Sequence, residues 1–184
     1  SITEYNPDEA DQLLSQVGKV LLEIKSEIPI GEEVKKSIQE LAAQNMTSYT
    51  HCKNVATYCV LFGLTLGIDD PEALQMGGFL HDIGMGDFDV ALSFKNPEDM
   101  SEQEFAQFKL HPGNAKHSVD IKKINIPDIA LDMIMYHHEH IDGSGFPYAK
   151  ENNEIPSAAK ICAFADELDL LTSSRFGYQR LSPA

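Results

Sequence analysis

The chain has 184 residues, 14 basic against 29 acidic, for a net charge of -15. At 42% hydrophobic and 23% charged it has the composition of a folded globular domain rather than a disordered chain, and a domain this long buries roughly 70% of its unfolded surface without disulfide staples. The acidity excludes a basic footprint for duplex nucleic acid, and the near-apolar run from Cys59 to Ile68 is too short for the ~20 residues of a membrane span.

Helical spacing dominates the pattern in chain order. Residues 7–27 carry Leu13, Leu14, Val17, Val20, Leu21 and Ile24 on one stripe, and Pro29 and Gly31 break the run. A second helix is expected over residues 32–44, and a third from Ser48 to Leu66 with Gly67 as its cap. Asp70-Pro71 opens a fourth, which ends in Leu80-His81-Asp82-Ile83-Gly84. The acidic, aromatic stretch to Pro97 reads as a loop. Ser101 and Glu104 have capping-box spacing for a helix to about His111. Pro112-Gly113 is read as a break, and another helix follows to Ile121. Ile126-Pro127-Asp128 opens a helix that ends at His137-His138. Residues 142–155 are rich in Gly and Pro and read as a loop, and Pro156 starts the last helix. Little alternates with period two, so the expected fold is an all-α bundle with additional N-terminal helices.

The three cysteines, Cys52, Cys59 and Cys162, form no CxxC pair. They read as small buried hydrophobes of a reducing, cytoplasmic compartment.

The histidines carry the chemistry. His51, His81, His111, His137 and His138 fall at helix ends or on faces that otherwise read apolar. Burying five imidazoles without partners costs several kcal/mol in unmet hydrogen bonds. Shared metal coordination satisfies all of them. His81-Asp82 and His137-His138 are adjacent pairs, and neighbours on a helix point about 100° apart. Such pairs face two metals more readily than one, and a carboxylate such as Asp82 can bridge two ions. Asp166 lies on the stripe Ala159, Cys162, Ala163, Leu170, so its carboxylate faces the core and needs a cation or strong donors. His117 and His140 fit no ligand position and read as surface or supporting residues.

These motifs carry a resemblance. His81-Asp82-Ile83-Gly84 matches the HD motif of metal-dependent phosphohydrolases. The run His137-His138-Glu139-His140-Ile141-Asp142-Gly143-Ser144-Gly145-Phe146-Pro147 resembles HHExxDGxGYP, the signature of the HD-GYP family. Asp166 to Arg175 is similar to that family's DxxDALTSxR. The resemblance spans Ser48 to Tyr178. It divides the chain into residues 1–47, N-terminal helices that link, pack or dimerise, and residues 48–184, an HD-GYP-like domain.

The resemblance implies an all-α HD-type bundle with a two-metal site and cyclic di-GMP phosphodiesterase activity through a metal-bridging hydroxide. It implies His51, His81, Asp82 and Asp166 on one ion. His111, His137, His138 and the shared Asp82 would hold the other. Iron is the expected metal, with manganese and zinc as alternatives. A Glu that supports a third ion in some members is replaced by Thr47, so two divalent ions are expected. Asp82 and Asp169 are the implied catalytic carboxylates, and Glu139 has a supporting place beside the ligands. Arg175, Lys95, Met85 and Phe146 fall at substrate-facing positions.

Several of these depart from the family. Met85 replaces a Lys near the scissile phosphate. Phe146 replaces the GYP tyrosine and loses its hydroxyl. Phe176-Gly177-Tyr178 replaces a basic continuation, and Lys95-Asn96-Pro97 matches Lys-Pro only in part. Three readings stay open: a divergent cyclic di-GMP phosphodiesterase, a non-catalytic metal-containing sensor or protein-docking module, and a phosphohydrolase for another nucleotide. The expected partners are cyclic di-GMP or a related nucleotide and a signalling protein, with no duplex nucleic acid and no membrane.

Overall fold

A computed structural model of the chain describes residues 46–87, 95, 97–122 and 124–173. The helices expected over residues 7–27 and 32–44, and Arg175 with its altered continuation, lie outside the described residues.

Six α-helices make the described fold: α1 Met46–Thr65, α2 Pro71–Leu80, α3 Glu102–Phe108, α4 His111–Lys122, α5 Asp128–Tyr136 and α6 Ser157–Thr172. Short 3-10 turns cover Ile83–Asp87, Pro97–Asp99 and Asn152–Glu154. No strand occurs among the described residues, and a single isolated bridge joins Asp142 to Glu151. The all-α expectation holds.

The helix starts follow local chemistry. Asp70 accepts a hydrogen bond from the Ala73 amide at 3.0 Å, with Pro71 in the first turn where its missing N–H costs nothing. Ser101 and Glu104 form the reciprocal capping box at α3. Pro112 corrects the sequence reading. It begins α4 as its second residue rather than breaking a helix, because proline's fixed φ suits a first turn as well as it interrupts an interior.

Helices α1, α2, α5 and α6 close a ring, each packed on the next, and α4 leans on α5 and on the Ile83–Asp87 turn. Val55, Cys59, Val60, Leu74, Met133, Ala158, Cys162 and Ala165 fill the ring. A second cluster of Leu80, Ala115, Val119, Ile124 and Ile134 seats α4. All three cysteines are buried and none forms a disulfide. Among the described residues no helix is long and apolar enough to cross a membrane.

Candidate metal centre

The buried polar residues gather where α1 and α6 meet the ends of α2 and α5 and the start of α4. His51 comes from α1, His81 and Asp82 directly follow α2, His111 opens α4, His137 and His138 directly follow α5, and Asp166 comes from α6. Two groups of ligand atoms result. In one, donors of His51, His81 and Asp166 lie within 4.8 Å of one another; in the other, donors of Asp82, His111, His137 and His138 do so. All seven metal positions read from the sequence are therefore brought together.

Helix ends orient three of the rings. His81 Nδ1–H donates to the Gly78 carbonyl at 2.8 Å, His111 Nδ1–H to that of Phe108 at 2.7 Å, and His137 Nδ1–H to that of Ile134 at 2.9 Å. Each acceptor belongs to the last four carbonyls of its helix, which intrahelical amides leave free. His51 sits inside α1, where carbonyls are taken, and its Nδ1–H goes to Asp169 Oδ2 at 2.7 Å. With these four Nδ1 atoms donating, the Nε2 atoms of His51, His81, His111 and His137 are turned inward.

The inward nitrogens face each other closely. His51 Nε2 is 3.3 Å from His81 Nε2, and His111 Nε2 is 3.3 Å from His137 Nε2. Two lone pairs at that distance repel unless a proton or a metal cation lies between them. Asp166 Oδ1 adds negative charge 3.1 Å from His51 Nε2 and 3.8 Å from His81 Nε2. Asp82 lies between the groups: Oδ2 is 3.4 Å from His81 Nε2, and Oδ1 is 3.3 Å from His111 Nε2 and 3.9 Å from His137 Nε2. The nitrogen and oxygen donors suit a borderline divalent cation such as iron, manganese or zinc.

Burial alone would keep His81 neutral, but the Asp82 and Asp166 carboxylates raise it to about 10. Burial and the neighbouring rings push His138 down to about 3 and His137 well below its usual value, leaving both neutral and ready to coordinate. Burial opposes ionisation of Asp82 and Asp166, yet the histidines beside them hold both below the ordinary carboxylate range.

Two glycines permit this crowding. A Cβ on Gly84 would run into the His111 carbonyl, so the turn after His81-Asp82 can approach the start of α4 only without a side chain. A Cβ on Gly145 would meet the backbone of His138, Glu139 and His140. The loop thus folds back over the histidine pair, with the Phe146 amide donating to the His138 carbonyl at 3.1 Å.

The HD domain family model matches residues 13–184. The chain belongs to the HD domain family. Among curated relatives of this HD domain chain, the cyclic di-GMP phosphodiesterase PA4108 of Pseudomonas aeruginosa is 30% identical over 143 residues, covering 76% of the chain and 34% of the relative. The 3'3'-cGAMP-specific phosphodiesterase 2 of Vibrio cholerae is 27% identical over 183 residues, covering 90% of the chain and 35% of the relative. The chain spans about a third of each of these relatives. Among solved structures, Bd1817, an HDG"Y"P protein from Bdellovibrio bacteriovorus, shares the fold with a TM-score of 0.60 and 24% identity, over 90% of the chain and 53% of that structure. The HD-GYP resemblance holds at the level of the family.

The remaining positions are placed as follows. Asp169 directs its carboxylate to His51, Asn54 and Ser173, which puts it behind a histidine rather than among the donors of either group. Glu139 is buried and accepts the amides of Tyr148 at 2.7 Å and Lys150 at 2.8 Å, so it supports the loop backbone rather than a ligand ring. Lys95 is engaged by Glu104, with Nζ at 2.9 and 2.7 Å from its two oxygens. Met85 is half-buried in the turn after Asp82, its amide donating to the Asp82 carbonyl. His117 and His140 are exposed, and His140 contacts Ser144 rather than either donor group.

Two features were missed in the sequence. Asn54 holds Asp169, and its position three residues after His51 was the available signal. Phe105 and Phe108 join Phe146 in an aromatic cluster against His111 and His138, from a helix whose hydrophobic residues carried no chemical mark.

Proposed function

We propose that the chain is a divergent metal-dependent cyclic di-GMP phosphodiesterase, with two divalent cations, iron foremost, held by the two donor groups. The observation that carries this reading is the Asp82 carboxylate, which turns one oxygen toward each group. Cations held there would supply a nucleophile from water near neutral pH and offset charge on the phosphate.

The chain's own residues do the arranging. His81, His111 and His137 are aimed by helix-end carbonyls and His51 by Asp169, so four donors are fixed before any ligand arrives. Asp82 and Asp166 remain ionised and make an otherwise buried site attractive to cations. Met85 and Phe146 stand at the substrate side, where they offer apolar surface and no charge or hydroxyl donor. Arg175 is the proposed phosphate contact from beyond α6. Support for a cyclic dinucleotide comes from the names of the relatives, which include both cyclic di-GMP and 3'3'-cGAMP enzymes.

A second reading, a metal-containing module that binds nucleotide or a signalling protein without turnover, is favoured by the Lys95–Glu104 pair. With Met85 in place of a cation, that pair leaves less positive charge free for phosphate. Anaerobically iron-loaded protein incubated with cyclic di-GMP and, in parallel, 3'3'-cGAMP separates the readings. Linear or mononucleotide product supports the enzyme. Tight binding without product supports the second reading. The absence of both product and binding would make cyclic dinucleotides the wrong ligand class and point to another nucleotide or to protein docking.

A further inference from the structure

His51 differs from the other anchored histidines in what stands behind it. His81, His111 and His137 lean on backbone carbonyls, which the helices themselves hold in place. His51 leans on a side chain, Asp169, whose orientation must be set by something else. Asp169 is 1% exposed, and its second oxygen, Oδ1, accepts a hydrogen bond from Asn54 Nδ2 at 2.8 Å. Ser173 Oγ adds a longer contact to Oδ2 at 3.3 Å. His51 and Asn54 are three residues apart on α1 and therefore share a face. They grip the two oxygens of one carboxylate, and this fixes its plane as a single contact would not.

We propose that Asn54 is a positioning residue for the cation pocket of His51, His81 and Asp166, acting through Asp169 to set the direction and donor strength of His51 Nε2. The proposal rests on the metal-site reading above. The amide suits the task in two ways. It donates a hydrogen bond, which holds Oδ1 in place. It is also neutral, so the negative charge of Asp169 stays directed at the His51 Nδ1–H, where it strengthens Nε2 as a ligand. A cation at residue 54 would hold the carboxylate but draw that charge away.

The test is manganese(II) binding to the metal-free full chain, followed by the electron paramagnetic resonance of the free ion, with no activity measured. Asn54→Ala removes the donor. Asn54→Asp keeps the volume but offers a charged acceptor to Asp169. His51→Ala is the control. Both Asn54 variants are expected to weaken one class of manganese site by up to about tenfold, the lower end of what losing a ligand's own supporting partner costs, because Asn54 acts one hydrogen bond further out, through Asp169. Their helical circular dichroism without metal should match the parent, since Asn54 is only half-buried. A packing role predicts instead that Asn54→Asp binds like the parent, and that result overturns the proposal. So does parental binding by Asn54→Ala while His51→Ala is impaired, or loss of helical signal in the Asn54→Ala chain, which would make the residue a determinant of fold. Parental binding by His51→Ala would remove the metal-site reading itself, a distinguishable failure.

Discussion

The ring of Phe146 stacks on His138, with centroids 4.6 Å apart and planes 28° from parallel. The same ring meets Phe105 and Phe108 edge-on. The phenylalanine at the GYP tyrosine position therefore buttresses a proposed ligand, and it carries no hydroxyl. Phe146→Ala should loosen His138 and lower metal affinity, whereas Phe146→Tyr, which keeps the ring, should leave metal content unchanged. Metal analysis of the two purified variants checks this; equal metal loss in both would argue against the buttress.

Met85 and Phe146 should limit turnover more than metal binding. Under the proposed function, Met85→Lys would place a cation, and Phe146→Tyr a hydroxyl donor, where charge develops on the phosphate. The double variant should hydrolyse cyclic di-GMP faster, by about tenfold for each ~1.4 kcal/mol of barrier recovered. Steady-state rates at matched metal content measure it. Normal metal with no gain in rate would move the limiting defect to Lys95, held by Glu104, or to the segment after Arg175.

Asp82 approaches both donor groups, and His111 only one. Asp82→Ala should therefore cost more bound metal than His111→Ala. Equal losses, or a greater loss for His111→Ala, would remove the shared role of Asp82.

Gly84→Ala places a methyl group against the His111 carbonyl. Relieving that contact means moving the turn away from α4, at a cost of about 1–3 kcal/mol by analogy with overpacked cores. Urea unfolding of the metal-free protein should show the loss, together with weaker metal binding as Asp82 and His111 separate. Unchanged stability would mean that the turn shifts freely.

Glu139→Gln replaces one acceptor of the loop with a donor facing an amide. The Tyr148 and Lys150 amides should then exchange faster with solvent, with a cost of about 1–3 kcal/mol for the unsatisfied group. Hydrogen exchange at those two amides is the check, and unchanged protection would show that the loop is held by other contacts.

The fold and the donor residues were legible because each left a local trace. The helices carry apolar spacing, and the histidines interrupt that spacing at helix ends, as at His81 and His137. Asp166 stood out on the apolar stripe of Ala159, Cys162, Ala163 and Leu170, and Asp82 as the neighbour of His81; motif order then supported both. What stayed hidden depends on partners distant in sequence. Lys95 read as a substrate-facing position, with nothing in its own segment to show that Glu104, nine residues on, pairs with it. Glu139 looked like a support for ligands, but its acceptors face backbone amides nine and eleven residues away. Asn54 carried no meaning until α6 brought Asp169 against α1. Pro112 was misread because a proline marks both the end of one helix and the first turn of the next, and spacing alone does not separate the two.

Anomalous diffraction from crystals of manganese-loaded protein tests the central claim most directly. The expected result is two ions about 3.5–4 Å apart, as in two-metal hydrolytic sites. One should be bound by His51, His81 and Asp166, the other by His111, His137 and His138, with Asp82 touching both. A single ion at saturating manganese, or two ions with Asp82 on neither or only one, would contradict it.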